Sequence, residues 1–91
     1  MRSPSSSHLT LDALEPGESA VVEGLTGEEP VDKRLRDLGL LPGTLVRALR
    51  RAPLGDPTEY ELRGYRLCLR RSEGARVRVR REPARAAGEA A

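Results

Sequence analysis

Phenylalanine and tryptophan are absent from this 91-residue chain, and histidine, cysteine, methionine and lysine each occur once. Each shortage removes a class of function. With Tyr60 and Tyr65 as the only aromatics, leucine, valine and alanine must supply nearly all of the core. A nucleic-acid reader that stacks bases on interleaved aromatic side chains is disfavoured for the same reason. The single Cys68 excludes an intramolecular disulfide, and the single His8 lies in a Ser-rich leader, so neither anchors a thiolate or imidazole metal cage. No apolar run approaches the roughly 18 residues needed to span a bilayer. Met1-Arg2 is followed by SPSSSH where a signal peptide would carry its apolar region, so a cytoplasmic protein is expected.

Catalytic machinery is missing as well. The acids are scattered singly, the nine glycines are dispersed and form no phosphate loop, and no enzyme is expected. Asp12, Glu15 and Glu18, or Glu28, Glu29 and Asp32, lie close in sequence, but their spacing matches no oxygen-ligand metal loop. No metal-site residue and no cofactor is predicted from the residues themselves. What the chain does have is arginine. Residues 1–45 carry four basic residues against eight acidic ones, a net of −4, whereas residues 46–91 carry twelve arginines against six acids, a net of +6. Solubilising charge on outward strand positions accounts for this, and a basic face for an acidic partner or phosphate backbone is the functional alternative.

The patterning predicts one small domain at residues 9–80 between a disordered leader, 1–8, and a disordered Ala-rich tail, 81–91. Ser19 to Leu25, Thr44 to Arg51, Thr58 to Arg63, Tyr65 to Arg70 and the Val77-Val79 stretch read as short strands with apolar residues on alternate positions. Between the first two, Pro30 suits the first turn of a helix, with Glu28 and Glu29 complementing its positive end. Val31, Leu35 and Leu38 share one face of that helix, and Asp32, Lys33, Arg36 and Asp37 fill the other. Ser72 to Ala75 reads as a turn. A small all-β, SH3-like barrel of about five antiparallel strands with one short helical insertion is the economical closure. Its thin core and short strand edges predict self-association.

The most instructive segment is Arg34 to Pro57, RLRDLGLLPGTLVRALRRAPLGDP. Gly39 supplies the residue that leaves the helix left-handed, and Pro42-Gly43 presets a type II turn. Pro53, Gly55, Asp56 and Pro57 form a corner in which Asp56 is expected to bond its own backbone. Cys68 reads as a partly buried small side chain pointing away from the Leu67 and Leu69 face.

LTLDALEPGESAVV, RLRDLGLLPG, RRAPLGDP and GYRLCLRRSEGARVRV, in this order and spacing, resemble the FeoA family of ferrous iron transport accessory proteins over nearly all of Leu9 to Val79. The resemblance implies an SH3-like barrel with a small helical insertion. It also implies a cytosolic protein, peripheral to the inner membrane through its partner FeoB, the ferrous transporter with a guanine-nucleotide-binding domain. Related domains end iron-dependent repressors, but this chain has no room for their DNA-reading and dimerisation parts. Cys68 departs from the small residue, such as alanine, more usual in its slot. Ferrous iron enters as a ligand by this association alone. The expected function is therefore that of a protein–protein interaction module, with a free-standing ferrous ion sensor or carrier as the alternative and a small basic RNA-binding barrel as a third. Candidate contacts are the exposed leucines that the fold does not obviously consume, Leu41 and Leu54, framed by Arg50 and Arg51; Leu40 is expected to cover the end of the barrel.

Overall fold

Alternating apolar positions dictate which face of each strand turns inward, and one sheet collects them all. The computed structural model describes residues 9–82: β1 (Leu9–Thr10), β2 (Ser19–Leu25), α1 (Pro30–Asp37), β3 (Leu45–Arg51), β4 (Thr58–Leu62), β5 (Tyr65–Leu69), α2 (Arg71–Gly74) and β6 (Val77–Glu82). The strands form a single antiparallel sheet in the order β1-β6-β2-β3-β4-β5. There are six strands where five are predicted, because Leu9–Thr10, too short a run for alternation to register, pairs with β6. β6 also takes in Arg81 and Glu82, which the sequence pattern assigns to the tail. The leader and the rest of the tail lie outside the described residues.

Ala20 and Val22 of β2, Val46 and Ala48 of β3, Tyr60 and Leu62 of β4, and Val77 and Val79 of β6 all turn inward and are buried. Leu11 and Leu14 close the core from the N-terminal side. The buried Tyr60 ring is anchored there, since its hydroxyl donates to the Leu11 carbonyl at 3.3 Å. Burial also pushes the Tyr60 phenol above its ordinary pKa, because a phenolate would lose its hydration.

The gap between the two sheet edges is narrowed by α2, a single helical turn where the sequence suggests a simple turn. It packs on the 3₁₀ turn Leu11–Ala13. A Cβ at Gly74 would stand 3.2 Å from the Asp12 nitrogen, so a side chain there would push the two turns apart by a few tenths of an ångström. Asp56 contributes to the same seam. Instead of bonding its own backbone, its carboxylate accepts the Arg71 N–H at 2.8 Å and satisfies a free donor at the start of α2.

α1 is only eight residues long, so it depends on packing and on both of its ends. Leu35 is buried, with Val31 and Leu38 half-buried beside it, as the periodicity requires. Asp32 is the exception, since it is buried although its position reads as solvent-facing. Its carboxylate accepts the Glu29 N–H at 2.8 Å, and Arg76, just before β6, folds over it. At the other end Gly39 takes φ +111°, its N–H bonds the Arg36 carbonyl at 2.9 Å, and the Leu40 N–H reaches back to Leu35 at 3.2 Å. This is a Schellman closure, and it drives Leu40 into the core, fully buried against the helix it terminates.

Candidate docking surface

Two exposed apolar features flank β3, and each is positioned by the turn chemistry read from the sequence. Pro42-Gly43 makes the expected turn: the Thr44 N–H bonds the Leu41 carbonyl at 2.9 Å with Gly43 at φ +92°. Leu41, just before the turn, is 41% exposed, and Leu45, just after it, is 52% exposed. An open depression of about 570 Å³ extends from Leu45 past Arg47 and Glu61 to Arg63. Leu45 is an exposed apolar residue outside the set of candidates named from the sequence. Its signal is that Leu45, like Leu49, falls on the face of β3 opposite Val46 and Ala48, where alternation calls for polar residues.

At the far end of β3 the chain turns through Ala52 to Pro57. The Gly55 N–H closes on the Ala52 carbonyl at 2.7 Å and the Ala52 N–H on the Pro57 carbonyl at 2.9 Å, while the Asp56–Pro57 peptide is cis. Leu54 stands at the tip, 95% exposed. A lone exposed leucine is ordinary. This one is held between Pro53 and a glycine at φ +90°, by two backbone hydrogen bonds and the Asp56 tie to α2, so little ordering is left for a partner to impose. Beside it lies an open depression of about 530 Å³ among Arg50, Pro53, Pro57, Glu59 and Cys68. The Cys68 side chain is exposed where the sequence suggests partial burial.

The structure separates the candidate residues as well as assembling them. Leu41 and Leu54 stand at opposite ends of a seven-residue strand, roughly 20 Å of extended chain, so they are two features and not one patch. Arg50 and Arg51 also part company. Arg50 pairs with Glu59 at 3.1 Å but stays 76% exposed, so the guanidinium remains at the surface on the rim of the depression next to the corner. Arg51 is drawn into the fold, donating to the Leu14 carbonyl at 2.7 Å and pairing with Glu15 at 3.0 Å.

A family model described as the FeoA domain matches residues 9–81. The chain belongs to the FeoA family. It is similar to a solution structure of a FeoA-like protein from Clostridium acetobutylicum at 32% identity and a TM-score of 0.80, over 85% of this chain and 90% of that one. It is also similar to Stenotrophomonas maltophilia FeoA complexed with zinc, described as a procaryotic SH3 domain protein, at 36% identity and a TM-score of 0.71, over 78% and 88%. A third relative is an Fe(2+) transport protein A/Fe(2+) transporter FeoB fusion protein from Porphyromonas gingivalis, 31% identical over 71 residues. The matched part is 78% of this chain and 8% of that relative. The SH3-like fold expected of a FeoA domain is thus the fold observed. Among the described residues, no three His, Cys, Asp or Glu side chains converge to hold a metal ion. None of the helices there is long and apolar enough to cross a membrane.

Proposed function

We propose that this FeoA domain is an accessory docking module for a FeoB-type ferrous iron transporter, acting at the transporter's cytoplasmic side. The observation that carries the reading is Leu54, an almost fully exposed leucine presented on a hydrogen-bonded corner, with the exposed Arg50 side chain lining the adjoining depression. A preorganised apolar tip suits insertion into a partner's pocket, and the adjacent arginine suits steering toward an acidic rim. The Porphyromonas gingivalis fusion supports the choice of partner, because a shared polypeptide raises the effective concentration of two parts that meet. Leu41 and Leu45 offer a second, weaker contact at the other end of β3.

Such a module changes transport only by binding one state of its partner better than another. The test is titration of the full chain with the cytosolic guanine-nucleotide-binding part of a FeoB-type transporter, with no nucleotide, with a diphosphate and with a non-hydrolysable triphosphate. Binding that differs among the three supports the proposal. Absence of binding in all three, with both proteins folded, removes it.

The zinc complex of the Stenotrophomonas maltophilia relative supplies a second reading, a direct metal carrier. Anaerobic calorimetry with ferrous ion separates the two. A carrier gives stoichiometric heat that acid-to-amide substitution abolishes, and a docking module gives none at micromolar metal.

A further inference from the structure

We propose that the free edge of β5 accepts an extended acidic peptide segment as a seventh strand. β5 pairs with β4 alone and forms one end of the sheet. The hairpin between them turns on Arg63 and Gly64, at φ +48° and +85°, so Leu62 and Tyr65 form its first hydrogen-bonded pair. Counting from that pair, Leu67 and Leu69 turn their backbone groups toward β4, while Arg66 and Cys68 turn theirs outward. Both residues are exposed. Among the described residues no hydrogen bond reaches those outward groups. Four backbone donors and acceptors therefore stand in a row on which another strand can add.

Charge selects the occupant. On the outer face Arg47 of β3, Glu61 of β4 and Arg66 of β5 lie in one cross-strand row, so the next position outward suits an acid. Arg66 is 64% exposed, and its nearest carboxylate, Glu59 at 4.0 Å, is already committed to Arg50 at 3.1 Å. Arg63 before the strand and Arg70 after it are exposed too. A second copy of this chain paired edge to edge would bring two arginine-rich edges together, like charge against like, which disfavours it. On the inner face Leu67 is only half-buried, so the residue added beside it is apolar. The segment that fits alternates acidic and apolar residues. This edge does not depend on the Leu54 corner, so failure of either proposal leaves the other standing.

The probes are a short acetylated Glu-Val repeat peptide and its Lys-Val counterpart, read by amide hydrogen exchange on the full chain. At about ten times its Kd, the acidic peptide is expected to slow exchange at Arg66 and Cys68 about tenfold. Leu67, already bonded to β4, changes little, and the lysine peptide has no effect. Arg66→Glu is expected to weaken binding roughly fivefold. Cys68→Pro deletes an outward N–H at an edge position that accommodates proline, and is expected to abolish binding. If that variant fails to fold, Arg66→Glu and the unsubstituted chain decide the matter. Unchanged exchange at Arg66 and Cys68 in millimolar acidic peptide, or equal protection by the lysine peptide, would overturn the proposal. Protection that grows with protein concentration alone would overturn it in favour of a second copy.

Discussion

The Asp32 carboxylate accepts two hydrogen bonds from the Arg76 guanidinium, each 2.7 Å long, across 44 residues of sequence. Asp32 has no exposed surface, whereas about a third of the Arg76 side chain remains in contact with water. The guanidinium therefore works as a lid over the first turn of α1 and fastens that short helix to the start of β6. A second pair on the same side, Arg34 with Glu73, ties α1 to α2.

This geometry sets the response to acid. Arg76 holds the Asp32 carboxyl below the usual aspartate range, assisted by the Glu29 N–H. The Glu15 N–H does the same for Glu18 and the Arg70 N–H for Glu73. A carboxylate whose folded pKa is depressed stabilises the fold above its unfolded pKa and loses that contribution as pH falls through the folded value. Urea midpoints are expected to be flat near neutrality and to drop from about pH 4.5 downward. Asp32→Asn lowers the neutral midpoint and makes the acid limb shallower. An unchanged acid limb in that variant would contradict the assignment.

The helix closure predicts a contrast between neighbouring leucines. Leu40→Ala is expected to cost about 2–5 kcal/mol, the range for emptying a packed core position. Leu41→Ala, at a half-exposed site, should cost less than about 1 kcal/mol. Gly39→Ala should cost about 1–3 kcal/mol, because alanine is strained at φ +111° and its Cβ would stand 3.1 Å from Arg63 Cδ. Urea titration of the three variants reads the order directly.

Leu54→Asp separates docking from folding. At a side chain this exposed, stability is expected to stay within about 0.5 kcal/mol of the parent. Affinity for the cytosolic part of the transporter should fall at least about tenfold, as for an anchor residue in an interface. Equal affinity of the variant and the parent would show that the corner is not the contact.

The two adjacent arginines are expected to behave oppositely. Arg51→Gln strands the Leu14 carbonyl and should cost about 1–2 kcal/mol of stability with little direct effect on the partner. Arg50→Glu should leave the melting temperature nearly unchanged but slow association, an effect that added salt suppresses. Stopped-flow association at two ionic strengths, alongside thermal melts, distinguishes them.

Much of this was legible in the sequence wherever a rule acts locally. The Gly39 closure, the Pro42-Gly43 turn, the Ala52 to Pro57 corner and the inward set from Ala20 to Val79 all follow from residue type and period. What could not be read depends on contacts between distant residues. Asp32 looks like a surface acid until Arg76 folds over it. Asp56 looks like a self-capping turn residue until Arg71 comes within reach. Arg50 and Arg51 look alike until a bulge in the β3–β4 pairing and the Leu14 carbonyl give them different tasks. Two residues do not suffice to reveal β1, whose pairing is imposed entirely by β6.

That β1 pairing has a geometric corollary. Leu9 lies opposite Val79, so the first and last of the described strands, β1 and β6, are neighbours in the sheet. A unit with neighbouring entry and exit points can be spliced into a host protein at a single surface position without prying the host apart, and its own ends can be joined and reopened elsewhere by circular permutation. The β3–β4 corner and the β5 edge would remain available in either arrangement.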